Sequence, residues 1–287
     1  MLRTLISLAC VAALSGCAII IAPNDGDIQV RTPFSSDAIR GNGQSITEQR
    51  PVSAASVLDV SGPVAVEVRV GQAAAVEVQA DSNLLPLIHT ESNGGTLRIW
   101  VDGNVSSHNE MRVKYTVPQL SQVLASGSGQ LRVTDLNGGA LTIISSGSRR
   151  TDLAGRVGRL DVQVSGSGGI NASGLQASAA NVSLNGSGRM SLGQVNGEAM
   201  TINIRGSGDL QASGTVQTLN ANVYGSGGAN LLGLSTQQAD LNTHGSGDIT
   251  ASVKGALVAQ SNGSGRITVY GNPAQRTLNG KHIQVVN

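Results

Sequence analysis

The sequence predicts an all-β protein, and the predicted architecture is a parallel β-helix (a β-solenoid) of about eight repeats. The tripeptide Gly-Ser-Gly recurs every 18–20 residues through the second half of the 287-residue chain. Between its copies, apolar and polar residues alternate with the period of two that marks a strand with one buried face. No window there has the apolar period of a helix. Repeats made of strands alone bury their apolar faces by stacking on one another.

The first glycine of each tripeptide is the predicted corner of a coil, because glycine takes positive φ without steric penalty and lets backbones approach closely. Seven copies are intact, and a degenerate eighth reads Ser146-Gly147-Ser148-Arg149. The middle serines are expected to stack as a ladder and to bond neighbouring coils or the backbone. The predicted corners are Gly127, Gly147, Gly166, Gly186, Gly206, Gly225, Gly245 and Gly263.

Three rival interpretations of Gly-Ser-Gly are weaker. A flexible linker does not alternate with regular apolar strands. A phosphate-binding loop is disfavoured because no copy completes Gly-x-Gly-x-x-Gly, and none is followed by Gly-Lys-Ser/Thr. Calcium-binding nonapeptide repeats have a shorter period, and aspartate follows the tripeptide only at Asp209 and Asp248. Calcium therefore stays open, but no cofactor and no metal site is predicted.

Residues 51–118 lack the tripeptide but keep the alternation. They are predicted to form an N-terminal β segment that caps or extends the repeats of 119–287. Such cover is needed because the outer coil of a solenoid otherwise presents an open sheet edge. Four strands are predicted in this segment, at Val64–Val70, Val76–Ala80, Leu97–Val101 and Met111–Val117.

Residues 1–16 are predicted to be a signal peptide. Arg3 supplies a positive start, and Leu5–Leu14 is an apolar stretch too short to span a bilayer. The sequence Leu14-Ser15-Gly16-Cys17 resembles a bacterial lipobox. That resemblance implies cleavage before Cys17, which is then acylated and anchors the chain in a membrane.

The residues after the signal peptide predict a location. Residues 17–50 are expected to be the lipidated N-terminus and a flexible tether. Ala18 is not the aspartate that resembles an inner-membrane retention signal. An outer-membrane lipoprotein of a Gram-negative cell is therefore expected, facing the periplasm or the cell surface. The alternative is an ordinary cleaved signal with an incidental cysteine.

Four features of the sequence together suggest a known family. They are the strands of Val57–Val70, the stretch Ala80–Leu85, the turn Gly94–Leu97 and the Gly-Ser-Gly ladder that ends in Gly271-Asn272-Pro273. With these features the chain resembles the family of the putative auto-transporter adhesin, head GIN domain (DUF2807), over roughly residues 55–275. This resemblance implies a β-helical, often lipid-anchored envelope protein, and it carries no catalytic residues to this sequence.

Composition excludes some classes of partner. The formal net charge is +1 and charged residues make up only 13% of the chain, so nucleic-acid binding has no electrostatic support. Aromatic residues make up 2%, which leaves few rings to stack on sugars. Five arginines form a local basic patch that is expected to be a solvated face, although it could contact lipid headgroups or an anionic glycan. They are Arg132, Arg149, Arg150, Arg156 and Arg159.

An enzyme is the serious alternative, because parallel β-helices also carry polysaccharide lyases and hydrolases. Such enzymes need clustered acids or bases on one face. Asp209 and Asp248 share a repeat column but stand two coils apart with Gly228 between them, which favours a mixed-charge surface row. No catalytic or metal-binding motif accompanies the four histidines, and His244 is expected to be a surface corner residue. The histidines are His89, His108, His244 and His282.

The sequence therefore predicts a non-enzymatic, lipid-anchored cell-envelope protein that presents a rigid β-helical surface for binding or adhesion. Its expected partners are the membrane, through acylated Cys17, and an unknown envelope protein or glycan. The alternatives are a carbohydrate-active enzyme on a β-helix scaffold and a periplasmic envelope-assembly or signalling partner.

Overall fold

The computed structural model describes residues 38–286, so the predicted signal peptide, Cys17 and the first part of the tether lie outside it. Ten short strands come first: β1 (Ile39–Arg40), β2 (Ser45–Arg50), β3 (Val57–Val60), β4 (Ala65–Val70), β5 (Ala75–Asp81), β6 (Ile88–Asn93), β7 (Thr96–Val101), β8 (Val105–Ser106), β9 (Arg112–Val117) and β10 (Gln122–Ala125). A 3₁₀ turn covers Leu85–Leu87. The remaining strands are β11 (Gln130–Gly147), β12 (Arg150–Gly166), β13 (Gly169–Gly186), β14 (Arg189–Gly206), β15 (Asp209–Gly225), β16 (Gly228–Gly245), β17 (Ile249–Gly263), β18 (Ile267–Tyr270), β19 (Gln275–Asn279) and β20 (Ile283–Val286).

The repeats form the predicted parallel β-solenoid. Each of β11 to β17 is one bent coil of 15–18 residues, and each pairs in parallel with the next. Equivalent residues lie in columns that run along the solenoid, and the apolar columns fill its interior. One fully formed interior column is Leu141, Leu160, Ala180, Met200, Leu219, Ala239 and Leu257. The fold class predicted from the sequence is confirmed.

The Gly-Ser-Gly corners are places where backbones of successive coils nearly touch. All eight predicted corner glycines have positive φ, from 81° at Gly127 to 127° at Gly263. A Cβ on Gly206 would lie 2.6 Å from the carbonyl oxygen of Gly186, so a side chain there has no room. The N–H of Ser207 donates to that same oxygen at 2.9 Å. The serine side chains form an exposed column, in which Ser246 Oγ lies 3.4 Å from Ser264 Oγ.

The N-terminal segment extends the solenoid by two coils whose spatial order differs from their order in the chain. The coil of β3 and β4 pairs in parallel with β10 and β11 on one side. On its other side it pairs in parallel with β7 and β9, which follow it in the sequence. The first coil in the chain therefore lies between the second coil and the Gly-Ser-Gly repeats. Gly62, with a φ of 87°, is its corner and lies against Gly127.

Antiparallel strands cover the N-terminal end of the solenoid. β5 pairs antiparallel with β9, and β6 pairs antiparallel with β7. β2 then adds to β5, again antiparallel. The outer coil thus has its edges occupied, which is the cover that an exposed parallel edge requires.

Residues 38–50 differ from the flexible tether that the sequence predicts, because β1 and β2 dock them onto the N-terminal coils. β1 pairs with β8, and β2 uses its backbone groups along β5 although its own side chains are mostly exposed. Polar strands of this kind are held by backbone pairing and lack the apolar alternation that sequence analysis relies on.

A buried carboxylate fixes this docking. Asp81 is fully buried and accepts hydrogen bonds from Asn109 Nδ2 at 2.5 Å and from Ser107 Oγ and the His108 N–H at 3.1 Å each. These bonds, that from Asn109 foremost, hold the pKa of Asp81 below its ordinary value. Gly41 lies directly over the carboxylate, where a Cβ would be 1.8 Å from Asp81 Oδ2.

At the C-terminal end of the described chain, shorter strands complete the stack. β18 and β19 pair in parallel with β17, and β20 pairs in parallel with β18. Leu278 in β19 is exposed, and Ile283 and Val285 in β20 are half-buried.

Arg149 is not part of the surface basic patch that the sequence predicts, because its side chain is fully buried. It replaces the second glycine of the tripeptide and turns inward. Its guanidinium donates to the carbonyl oxygens of Gly62 (2.6 Å), Val64 (2.9 Å), Ser126 (3.2 Å) and Gln130 (3.4 Å). Burial lowers the pKa of Arg149 to about 10, so the group stays charged at neutral pH.

Candidate binding surface

A polar trough runs along one face of the solenoid, on the strands that directly follow each Gly-Ser-Gly corner. It consists of three adjoining shallow depressions of about 340, 390 and 430 Å³. Ser191 lines all three, so the depressions are continuous. The column along its floor is Asn171, Ser191, Gln211, Asn230 and Thr250. These amides and hydroxyls repeat at the coil spacing of about 4.8 Å.

A second column beside that floor carries charges in a fixed order, and we call it the charged column. Two arginines flank one glycine, and two aspartates flank the next. In order along the solenoid, its members within the trough are Arg150, Gly169, Arg189, Asp209, Gly228 and Asp248, and Arg266 follows on the next coil. The trough therefore has a basic end and an acidic end, each with a gap in the side chains where the glycine stands.

The two aspartates of this column lie where the sequence predicts, and each has its own partner. Asp209 Oδ2 is 3.8 Å from Arg189 Nε, and Asp248 Oδ1 accepts the Arg266 N–H at 2.8 Å. The two aspartates stand two coils apart, with Gly228 on the coil between them. This arrangement differs from a joined pair of carboxylates sharing a proton.

His244 lies in a side-chain stack that the sequence analysis missed. Its ring stacks on Tyr224 with centroids 4.9 Å apart and planes 15° apart. On the coil before Tyr224, the guanidinium carbon of Arg205 lies 5.6 Å from the centroid of the Tyr224 ring. On the following coil, Asn262 Nδ2 lies 3.1 Å from His244 Nε2. All four residues precede a Gly-Ser-Gly tripeptide, so aligning the repeats would have placed them side by side.

A second stack lies near the N-terminal end. His89 stacks on Trp100 at 4.9 Å, and Arg98 lies over the same indole at 5.0 Å. His89 Nε2 is 2.8 Å from Asp102 Oδ2, and the Trp100 N–H donates to the other oxygen of that carboxylate at 3.1 Å. The aromatic rings at both stacks thus already contact side chains of the protein itself.

A further depression, of about 500 Å³, lies on the N-terminal coils, and most of the charged groups that line it are paired within the protein. Lys114 is 2.8 Å from Glu77, whose pKa this hydrogen bond lowers. Arg69 is 3.4 Å from Asp135. Such pairing leaves few free charges for a ligand, which makes the trough the better candidate.

Within residues 38–286, no three or more His, Cys, Asp or Glu side chains come together as a metal ion would need. No helix of the described chain has the length and apolar character to cross a membrane.

These features define a parallel β-solenoid with a polar trough along one face. The chain belongs to the DUF2807 family, described as putative auto-transporter adhesin, head GIN domain, whose model matches residues 56–193 and 174–273. The membership expected from the strand and ladder motifs is confirmed. No curated protein is a significant match to the chain.

Solved structures share the fold. A putative lipid binding protein from Parabacteroides distasonis is 24% identical over 88% of this chain and all of its own, with a TM-score of 0.65. A putative adhesin from Parabacteroides merdae is 20% identical over 88% of this chain and all of its own, with a TM-score of 0.68. A second putative adhesin from P. distasonis is 23% identical over 87% of this chain and all of its own, also at 0.68. None of these names describes an enzyme.

Proposed function

We propose that this protein is a non-enzymatic, lipid-anchored protein of the cell envelope that binds an extended, hydroxyl-rich polymer, a glycan, along the trough. The observation that carries the proposal is the continuous column of amides and hydroxyls from Asn171 to Thr250. Each group contributes little alone, but a polymer can engage several at once and so gain affinity without any single strong site.

The rigid backbone supports this role. Parallel pairing fixes the trough side chains at constant spacing, so a bound polymer meets donors and acceptors that are already ordered. Gln211 and Asn230 are exposed on adjacent coils and lie on the floor of two of the depressions. Family members named as adhesins support a location in the envelope or at the cell surface.

The anchor is proposed from the lipobox alone. Acylation of Cys17 would hold the solenoid at a membrane, and outer-membrane sorting follows from Ala18 at the next position. Two or more acyl chains give stable attachment where one would be marginal.

The test uses the full-length chain in detergent and a set of immobilised polymers, namely dextran, peptidoglycan and outer-membrane polysaccharide. Replacing both Gln211 and Asn230 with Ala should weaken binding about tenfold, since two polar anchors are lost. The control replaces Gln163 on β12 and Asn220 on β15 with Ala, because both point outward from a different face of the solenoid. Absence of binding to every polymer, or equal losses in both double variants, would contradict the proposal.

The enzymatic alternative keeps one supporting observation, because Asp209 and Asp248 line the same depression. Their separate partners and the coil between them favour a binding role. Incubating the full chain with the same polymers and assaying new reducing ends decides the matter. If the protein releases new reducing ends and this release is lost in Asp209→Asn or Asp248→Asn, the protein is an enzyme and the binding proposal is wrong.

A further inference from the structure

The basic end of the trough has the composition of an anion site. Arg150, Gly169 and Arg189 are successive members of the charged column, and with the corner serines they line the depression of about 340 Å³. The two arginines flank a residue without a side chain, about 10 Å apart by the coil spacing. The gap between them is open to solvent and is large enough for a small oxyanion.

The two positive charges at this notch are only weakly compensated by the protein itself. Arg150 is exposed, and within residues 38–286 no ion pair of its side chain is found. Arg189 is 86% exposed, and its one ion pair, with Asp209, is long at 3.8 Å. By contrast, the arginines of the N-terminal coils are paired, as in Arg112 with Glu110 and Arg69 with Asp135.

Neutral donors complete the same notch. Ser148, Ser167 and Ser187 are exposed middle serines of three successive corners, and all line it. Guanidinium groups bind phosphate, sulfate and carboxylate through paired N–H groups, and hydroxyl donors fill the remaining acceptor sites of such an anion.

The neighbouring acidic end restricts what can bind. About 14 Å further along the column, three coils on, the gap at Gly228 lies between Asp209 and Asp248 and repels negative charge. A polymer that is anionic at every unit is therefore disfavoured, and one with sparse anionic groups fits both ends.

We propose that the notch of Arg150, Gly169 and Arg189 binds a single phosphate, sulfate or uronate group carried on the glycan that occupies the trough. This assignment rests on the proposed function, since it names the chemical class of the polymer bound there. It also fixes the position of the polymer along the trough, because its anionic group must lie at the arginine end.

Binding of lightly sulfated dextran and of unmodified dextran to the full-length chain in detergent tests the proposal. The ratio of the two affinities reports on the notch, whereas binding of the neutral polymer reports on the trough. We expect the sulfated polymer to bind about tenfold more tightly, and Arg150→Gln with Arg189→Gln to remove that preference. Arg156→Gln with Arg159→Gln removes the same charge from another part of the surface and should leave it intact.

A second variant fills the notch from within. Gly169 does not have positive φ, and a Cβ there makes only ordinary contact, 3.5 Å from the Arg189 carbonyl oxygen. In Gly169→Glu the new carboxylate can pair with both arginines and should abolish the preference. Gly169→Gln introduces a side chain of the same size as glutamate but without the charge, and it should keep more of the preference for the sulfated polymer.

Three results would overturn the assignment. One is equal affinity for the two dextrans in the unmodified protein. Another is an equal loss of preference in the two double-arginine variants, which would reveal unspecific attraction. The last is binding of phosphatidylglycerol vesicles through Arg150 and Arg189 without binding of the sulfated polymer, which would make the partner a membrane. If the protein binds the sulfated dextran but not the unmodified dextran, the result would count against the trough and not against the notch.

Discussion

The guanidinium of Arg149 donates to the carbonyl oxygen of Gly62 at 2.6 Å, a hydrogen bond that joins residues 87 positions apart. Gly129 lies between the backbones of Arg149 and Val64, and because it has no side chain the arginine can reach past it to the carbonyl oxygens of Val64 and Gly62. One buried cation thus connects the first coil of the chain to the repeats. The only interruption of the Gly-Ser-Gly series is where this connection is made.

Replacing Arg149 with Met should lower the free energy of unfolding by about 2–4 kcal/mol, because four backbone carbonyls lose a buried donor. Denaturant titration of the full-length chain measures this. Arg156→Met is the control, since Arg156 is exposed and bonds only the Gln176 side chain, and its effect should stay within about 0.5 kcal/mol. Similar midpoints for the two variants would contradict the role of Arg149.

The corners allow a matched test of the coil register. Gly206→Val should cost more than about 1 kcal/mol, because the residue has a φ of 113° and its Cβ would meet the Gly186 carbonyl oxygen. Gln163→Val, at an exposed outward position of β12, should be nearly neutral since β-branched residues suit strands. Equal tolerance of valine at both positions, judged from denaturant midpoints, is the outcome that this register does not allow.

Asp81 should give the N-terminal end a pH dependence. Its pKa is lowered in the folded state, so its contribution to stability is complete above the unfolded pKa of about 3.9 and is lost as the pH falls through the lower folded value. Unfolding of the unmodified protein should become easier below about pH 4. Asp81→Asn should unfold at a lower denaturant concentration at pH 7, and its midpoint should change less on acidification. An acid profile identical to that of the unmodified protein would exclude this role.

The lipid anchor is tested in cells. Cys17→Ser should leave the signal peptide uncleaved or the protein soluble, and it should abolish incorporation of a fatty-acid analogue. Retention of the label by this variant would show that Cys17 is not the acylated residue.

Local patterns were sufficient for the coil but not for the order of the coils. Alternation and the tripeptide place the strands and the corner at Gly206, because both reflect contacts that every repeat makes alike. The coil of β3 and β4 has the same pattern, with Ser61-Gly62 at its corner, so it could have been recognised as a further coil. In space this coil lies between the repeats and the coil of β7 and β9, which follows it in the chain. This order depends on pairing between distant segments, which no local pattern encodes.

The polar residues were harder to predict, because their environment decides their role. Arg149 in a degenerate tripeptide has the same local appearance as its exposed neighbour Arg150, yet one is buried and the other faces the trough. The stack of Tyr224 and His244 was within reach, since both occupy one repeat column. The docking of residues 38–50 was not, because it depends on Asp81 and on backbone pairing.

The central claim is that a polymer binds along the trough, and carbene footprinting of the full-length chain with saturating lightly sulfated dextran tests it most directly. The account predicts that labelling falls in the peptides that hold the floor residues Asn171, Ser191, Gln211 and Asn230. Labelling of the opposite outward residues Gln163 and Asn220 should not change. Protection centred on Gln163 and Asn220, or no protection at the trough while the polymer is bound, would contradict the account.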